Sequence, residues 1–213
     1  MVRIYVGPKR ALWVLPEEAL CDRVQFFKSA FQSGFRESSE KVLELPEDDP
    51  IAFEFVLDYI LQDWPDTEFI STLESPEAIQ MAWCQVWVLT DKLGLPDFSE
   101  EAIGYYVEYF SGLALSERVV PPAAAKFLYE NTSDLCEMRE TLTKSAVEVY
   151  EGLECSCEEV MEQRSASAAS HPKFHADIMV LLKKTQLQKA WKDIASNLTS
   201  CKSCNPISTN GTS

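Results

Sequence analysis

The sequence predicts an α+β fold dominated by helices: a short β-hairpin and sheet flanked by helices, followed by a C-terminal helical extension. Two short strand-like patterns open the chain, and apolar residues then recur at helical spacing through most of its remaining length. A turn or cap signal also marks each change of rhythm. Residues 26–61, "FFKSAFQSGFRESSEKVLELPEDDPIAFEFVLDYIL", run helical, then strand-like, then helical again. Strands few and early, with helix after helix behind them, are the pattern of an α+β domain.

The elements come in order. Val2, Ile4 and Val6 alternate with Arg3 and Tyr5, which predicts a half-buried strand. "GPKR" is a turn, and "ALWVL" at 11–15 predicts a second, more fully apolar strand closing a hairpin. One helix is expected from near Pro16, with Leu20, Val24, Phe27, Ala30 and Phe31 on its stripe and Gly34 capping its end. Val42, Leu43 and Leu45 predict a short strand. Asp49 then serves as N-cap, with Pro50 at the first helical position, where a missing N–H costs nothing. Phe53, Val56, Leu57, Ile60 and Leu61 form that helix's buried stripe.

Residues 62–75 are acidic and loop-like, and Ser75-Pro76 restarts a helix by the same device. Its stripe is Ile79, Trp83, Val86, Trp87, Thr90 and Leu93, and "GLP" at 94–96 ends it. Asp97 or Ser99 is expected to cap a helix carrying Ile103, Val107 and Phe110. Pro121-Pro122 leads into a short helix with Phe127 and Leu128. Another helix carries Leu135, Met138, Leu142, Ala146 and Val149. "EQRSASAAS" at 162–170 is small and polar, a linker or weak helix end. Pro172 then opens a long amphipathic pattern with Ile178, Leu181, Leu182, Trp191, Ile194 and Leu198. The expected organisation is a domain over 1–112, a helical extension over 113–150, a linker over 151–170, an amphipathic helix over 171–199 and a flexible tail over 200–213. No internal repeat of 20–50 residues is visible.

With 46% hydrophobic residues and five Trp in 213 residues, the chain has the material for a real core. Its net charge of −15 opposes a phosphate backbone, so nucleic acid is not an expected partner. Lys183, Lys184, Lys189 and Lys192 cluster, and they read as a solvated helix face. Neither a signal-peptide run nor a membrane-length apolar stretch is present, and no membrane partner is expected. Seven Cys without framework spacing predict reduced thiols, hence a soluble protein of the cytoplasm or nucleus.

Three stretches in register carry a resemblance: "WVLPEEALCDRVQFFKSAF", "GFRESSEKVLELPEDDPIAFEFVLDYIL" and "VWVLTDKLGLPDF". Their order and spacing resemble a BTB/POZ domain of the fungal-type branch, through Phe-x-Glu-Ser at 35–38, Leu-Pro-Glu-Asp-Asp-Pro at 45–50 and Asp-Lys-Leu-Gly-Leu-Pro at 91–96. "VPPAAAKFLYENTSDLCEMRETL" is similar to the helical extension that follows the domain in that branch. The resemblance covers residues 2–150 and implies a BTB/POZ fold and a protein–protein interaction module that pairs with itself. Pro16 stands where the family has His, Val24 where it has Ser, and Asp63-Trp64-Pro65 where it has a Tyr-Thr-Gly turn. The sequence starts at the first hairpin, so it shows no counterpart of the segment that some members exchange between subunits.

Chemistry finds little footing. The only His are His171 and His175, and no G-x-S-x-G, phosphate-cradling glycine loop or H-E-x-x-H occurs. Acidic pairs such as Glu17-Glu18 and Glu100-Glu101 stand at helix starts, where they oppose the dipole. An enzyme is therefore not expected, nor a cofactor. Self-association is expected through a dimer face of Leu12, Trp13, Leu20, Val24 and Phe27. Phe35 follows the capping Gly34 in a polar stretch, and such a side chain either tucks back or is offered to another protein. In BTB adaptors that recruit cullin scaffolds of ubiquitin ligases, this region carries an apolar-x-Glu element. The resemblance therefore implies Phe35, Glu37 and Ser38 as partner-binding residues, with a cullin scaffold as the alternative partner. From another class comes a zinc-binding regulatory protein. Cys155, Cys157, His171 and His175 faintly resemble a Cys₂His₂ set, and Cys201 and Cys204 form a C-x-x-C half-site. The C-x-C pair is tighter than usual for such a site, and surface His with free tail thiols is the preferred reading.

Overall fold

The computed structural model describes residues 1–62, 73–152 and 158–200. Over these residues the protein is predominantly helical with one three-stranded sheet, as the sequence predicts. Strand β1 (Val2–Val6) pairs antiparallel with β2 (Ala11–Leu15), with Ile4 opposite Trp13, and parallel with β3 (Val42–Leu45), with Ile4 opposite Leu43. The order is β2-β1-β3. Val2, Ile4 and Val6 are fully buried, and Arg3 faces out. The joining turn needs Gly7, whose φ is +73°; a Cβ there would stand 3.1 Å from the Pro50 ring. Strand β2, apolar throughout in sequence, alternates in burial: Leu15 is buried and Trp13 sits edge-on to Phe53 at 5.0 Å, while Leu12 and Val14 are 51% and 53% exposed.

The single helix expected after Pro16 is two helices, α1 (Glu17–Cys21) and α2 (Gln25–Gln32). Val24 between them is extended, at φ −128° and ψ 112°. The break lets Leu20, Val24, Phe27 and Phe31 all reach the core, where each is buried. Gly34 adopts φ +79° as expected, and a further helix follows, α3 (Arg36–Glu40), which buries no residue and so had no apolar stripe to announce it. Lys41 ends α3 in the left-handed conformation at φ +54°. Its ammonium reaches Glu17 at 2.7 Å and the Phe31 carbonyl at 3.1 Å, tying α3 back to both preceding helices.

Helix α4 (Pro50–Gln62) begins at Asp49, whose Oδ1 accepts the N–H groups of Ile51 and Ala52 at 2.9 and 3.2 Å. Helix α5 (Pro76–Leu93) begins at Ser75, whose Oγ accepts the Ala78 N–H at 3.2 Å. It closes with Leu95 N–H on the Thr90 carbonyl and Gly94 N–H on the Asp91 carbonyl, a Schellman cap. Pro96 is already the first residue of α6 (Pro96–Ser111). Neither Asp97 nor Ser99 caps that helix; Leu95 holds the position, and Ser99 Oγ lies 2.9 Å from Thr90 Oγ1. The buried face of α6 is Phe98, Ala102, Tyr106 and Phe110, so Val107 is exposed, against expectation.

Beyond a 3-10 turn at Leu115–Arg118 come α7 (Pro122–Asn131), α8 (Glu137–Gly152), α9 (Glu158–Ala169) and α10 (Pro172–Ser200). Leu135 precedes α8 and is 94% exposed rather than part of its stripe. The stretch 151–170, expected as a linker, carries α9 packed on α7. Its small residues Ser167 and Ala168 are buried, and Arg164 lies over the Tyr150 ring at 4.2 Å. Small side chains that read as a spacer serve close helix approach instead. Helix α10 packs on α8, with Phe174 and Ile178 buried and Lys183, Lys184, Lys189 and Lys192 exposed. The side chains of Trp191, Ile194 and Leu198, most of the acidic 62–75 stretch and residues 201–213 of the tail lie outside the described parts of the chain. One continuous buried cluster runs from Val2 to Ile178. No helix among the described residues is long and apolar enough to cross a membrane.

Removing the cap of α4 tests how far such local devices set stability. Asp49→Ala should lower unfolding stability by about 1 kcal/mol, read as a reduced urea midpoint at unchanged slope.

Candidate interaction surface

The Gly34–Ser38 segment is built from backbone constraints. Helix α2 stops at Gln32, and Gly34 turns the chain with no heavy atom near where a Cβ would stand. Phe35 is then extended, at φ −73° and ψ 175°, and its carbonyl accepts the Ser38 N–H at 3.1 Å. The result leaves the Phe35 ring 66% exposed, so of its two expected fates it is the one offered outward. Glu37 lies half-buried in the first turn of α3, where its charge opposes the helix dipole, and Ser38 is half-buried beside it. Arg36 pairs with Glu40 at 2.9 Å, and the Lys41 ties hold the far end. An exposed aromatic thus stands just ahead of a helix whose far end is tied back by Lys41.

The expected dimer face divides. Leu12 is exposed and Trp13 half-buried, but Leu20, Val24 and Phe27 are buried within the chain's own core. The break between α1 and α2 turns them inward, and a second copy could reach them only by unpacking that core. Their place on the outside is taken by Val14, which sequence reasoning passed over. The signal was available: in an edge strand that alternates, every second residue of "ALWVL" must face out.

Of the six residues weighed as metal ligands, Cys155, Cys157, Cys201 and Cys204 lie outside the described residues. His171 has a structural role at the start of α10: its Nδ1 accepts the Lys173 N–H at 3.2 Å, and its ring lies 5.3 Å from that of Tyr129. His175 is exposed one turn along. Among the described residues no three His, Cys, Asp or Glu side chains converge in a way that could hold a metal ion. Cys21, Cys84 and Cys136 are free and buried. Burial pushes the Cys84 thiol up to about 12, with nearby Cys136 adding to it. Such a thiol stays protonated and unreactive.

No family model matches the chain, and no curated protein matches it.

The sulfur ligands in the zinc hypothesis all fall after Gly152, beyond α8. Residues 1–150 should therefore fold without metal, and chelation by EDTA should leave their melting temperature unchanged. A large loss of stability together with stoichiometric zinc by elemental analysis would make the metal structural.

Proposed function

We propose that this chain is a non-enzymatic protein–protein interaction module of the BTB/POZ type, working by surface complementarity in the cytoplasm or nucleus. The observation that supports the reading is where the family-like motifs fall. Gly34-Phe35-Arg36-Glu37-Ser38 joins α2 to α3, Leu45–Pro50 joins β3 to α4, and Asp91–Pro96 joins α5 to α6. Each motif supplies the cap or turn that its joint requires, around a sheet that a helical crossover completes in parallel. The module pairs with a second copy of itself, and its acidic surface disfavours nucleic acid. Light scattering of the full chain across micromolar concentrations should give the mass of a dimer. A monomer at every concentration would remove self-association from this reading.

A second reading, an adaptor for a cullin-type ubiquitin-ligase scaffold, is favoured by the exposure of Phe35. Burying that ring in a partner's pocket contributes about 1.5–3 kcal/mol, and Glu37 adds a charge-assisted hydrogen bond to a donor on the partner. Phe35→Ala should then weaken binding to a purified scaffold roughly ten- to a hundredfold, at about 1.4 kcal/mol per decade. Glu37→Ala should cost less and lose its effect as salt rises. Calorimetry decides: absence of wild-type binding, or a folded Phe35→Ala variant that binds as well, removes the adaptor reading and leaves the module.

A further inference from the structure

We propose that the chain pairs with a second copy along the free edge of β2, as an antiparallel β2–β2 ladder centred on Trp13. This deepens the proposed self-association and rests on it.

The direction of each backbone group follows from the sheet's own bonds. Arg3 N–H donates to the Lys41 carbonyl and Gly7 N–H to the Leu45 carbonyl, so the odd-numbered residues of β1 turn toward β3. Val2, Ile4 and Val6 therefore turn toward β2, where they stand opposite Leu15, Trp13 and Ala11. Leu12 and Val14 point their N–H and C=O groups the other way, off an edge that no strand among the described residues covers. Protected edges carry a lysine, a proline or a bulge. Ala11–Leu15 carries none of these, and the side chains of Leu12 and Val14 are themselves exposed. On the same face lie their cross-strand neighbours Tyr5 and Arg3, with Val42 beyond Arg3.

Charge selects a second copy as the occupant. Lys9-Arg10 precedes the strand and Glu17-Glu18 follows it. Arg10 is engaged with Glu44 at 2.8 Å and Glu17 with Lys41 at 2.7 Å, whereas Lys9 and Glu18 are exposed at opposite ends of β2. Antiparallel pairing centred on Trp13 sets Leu12 of one copy opposite Val14 of the other, so both exchange their outward N–H and C=O groups. The same register carries Lys9 of each copy to the Glu17-Glu18 end of the other. A parallel arrangement would bring like charges together at both ends.

The test is sedimentation equilibrium of the full chain and four variants at micromolar concentrations, with circular dichroism to confirm folding. Val14→Pro removes an outward N–H and no bond to β1, and Leu12→Lys keeps the backbone while placing a charge on the edge. Each should raise the dimer dissociation constant about tenfold or more. Lys9→Glu should weaken the dimer, and adding Glu18→Lys to it should restore affinity. If Val14→Pro does not fold, Leu12→Lys and the charge exchange decide. A wild-type dimer whose folded Leu12→Lys variant associates as tightly, or whose charge exchange fails to restore it, overturns the edge pairing and leaves self-association to another face. A wild-type monomer throughout overturns both.

Discussion

Helix α5 buries residues on nearly every side, including Ile79, Trp83, Cys84, Val86 and Leu89. A helix so apolar must be enclosed, and the arrangement of its neighbours follows from that requirement. Helices α4, α6, α7 and α2 all pack on it. Phe55 of α4 meets Trp83 edge-on at 5.2 Å and stacks on Phe98 of α6 at 5.8 Å. Two of its polar residues, Gln80 and Thr90, are buried as well, and the Gln80 side chain donates to the Val119 carbonyl. The sheet sits outside this helical enclosure and buries one face only, which is why β2 can leave apolar side chains in solvent.

The C-terminal helices are held differently. Arg139 of α8 is buried and donates to the Tyr129 carbonyl at 2.8 Å, to the Thr132 carbonyl and hydroxyl, and to Asp134 at 2.9 Å, with its guanidinium over the Tyr129 ring. It thereby satisfies carbonyls at the end of α7 that have no helical partner. The Tyr129 hydroxyl donates to Asp177 on α10 at 2.9 Å, which brings a third helix into the same network. Burial, more than any neighbouring charge, pushes that phenol's pKa up and keeps it neutral. Polar bonding therefore joins α7, α8 and α10 into the body that α5 organises through apolar contact.

Under the proposed readings the two working surfaces do not compete. Segment Gly34–Ser38 leads into α3, which is followed directly by β3 at one edge of the sheet, while β2 forms the other edge. Pairing along β2 would leave Phe35 open to a different protein. Affinity at protein interfaces concentrates in a few residues, and Phe35 and the Leu12–Val14 edge are the candidates here.

How much was legible in the sequence depends on whether the cause is local. The joints at Asp49-Pro50, Ser75-Pro76 and Gly94-Leu95 each rest on a side chain or backbone conformation acting within a few residues, and each could be read directly from the chain. Beside Phe35, Gly34 sets the turn in the same local way, but which way the ring goes was decided by the packed structure, which leaves it exposed. Decisions that depended on distant partners were not legible. The break that turns Val24 and Phe27 inward, the exposure of Leu12 and Val14, and the burial of Ser167 and Ala168 all depend on what other segments bury. Periodicity states that a side chain is apolar; only the packed structure decides whether its own chain covers it. By itself, then, this sequence determined the class of the fold and the joints at Asp49-Pro50, Ser75-Pro76 and Gly94-Leu95, because capping and turn chemistry act over a few residues. The tertiary structure decided which apolar residues are core and which are surface, because burial is a property of the whole chain.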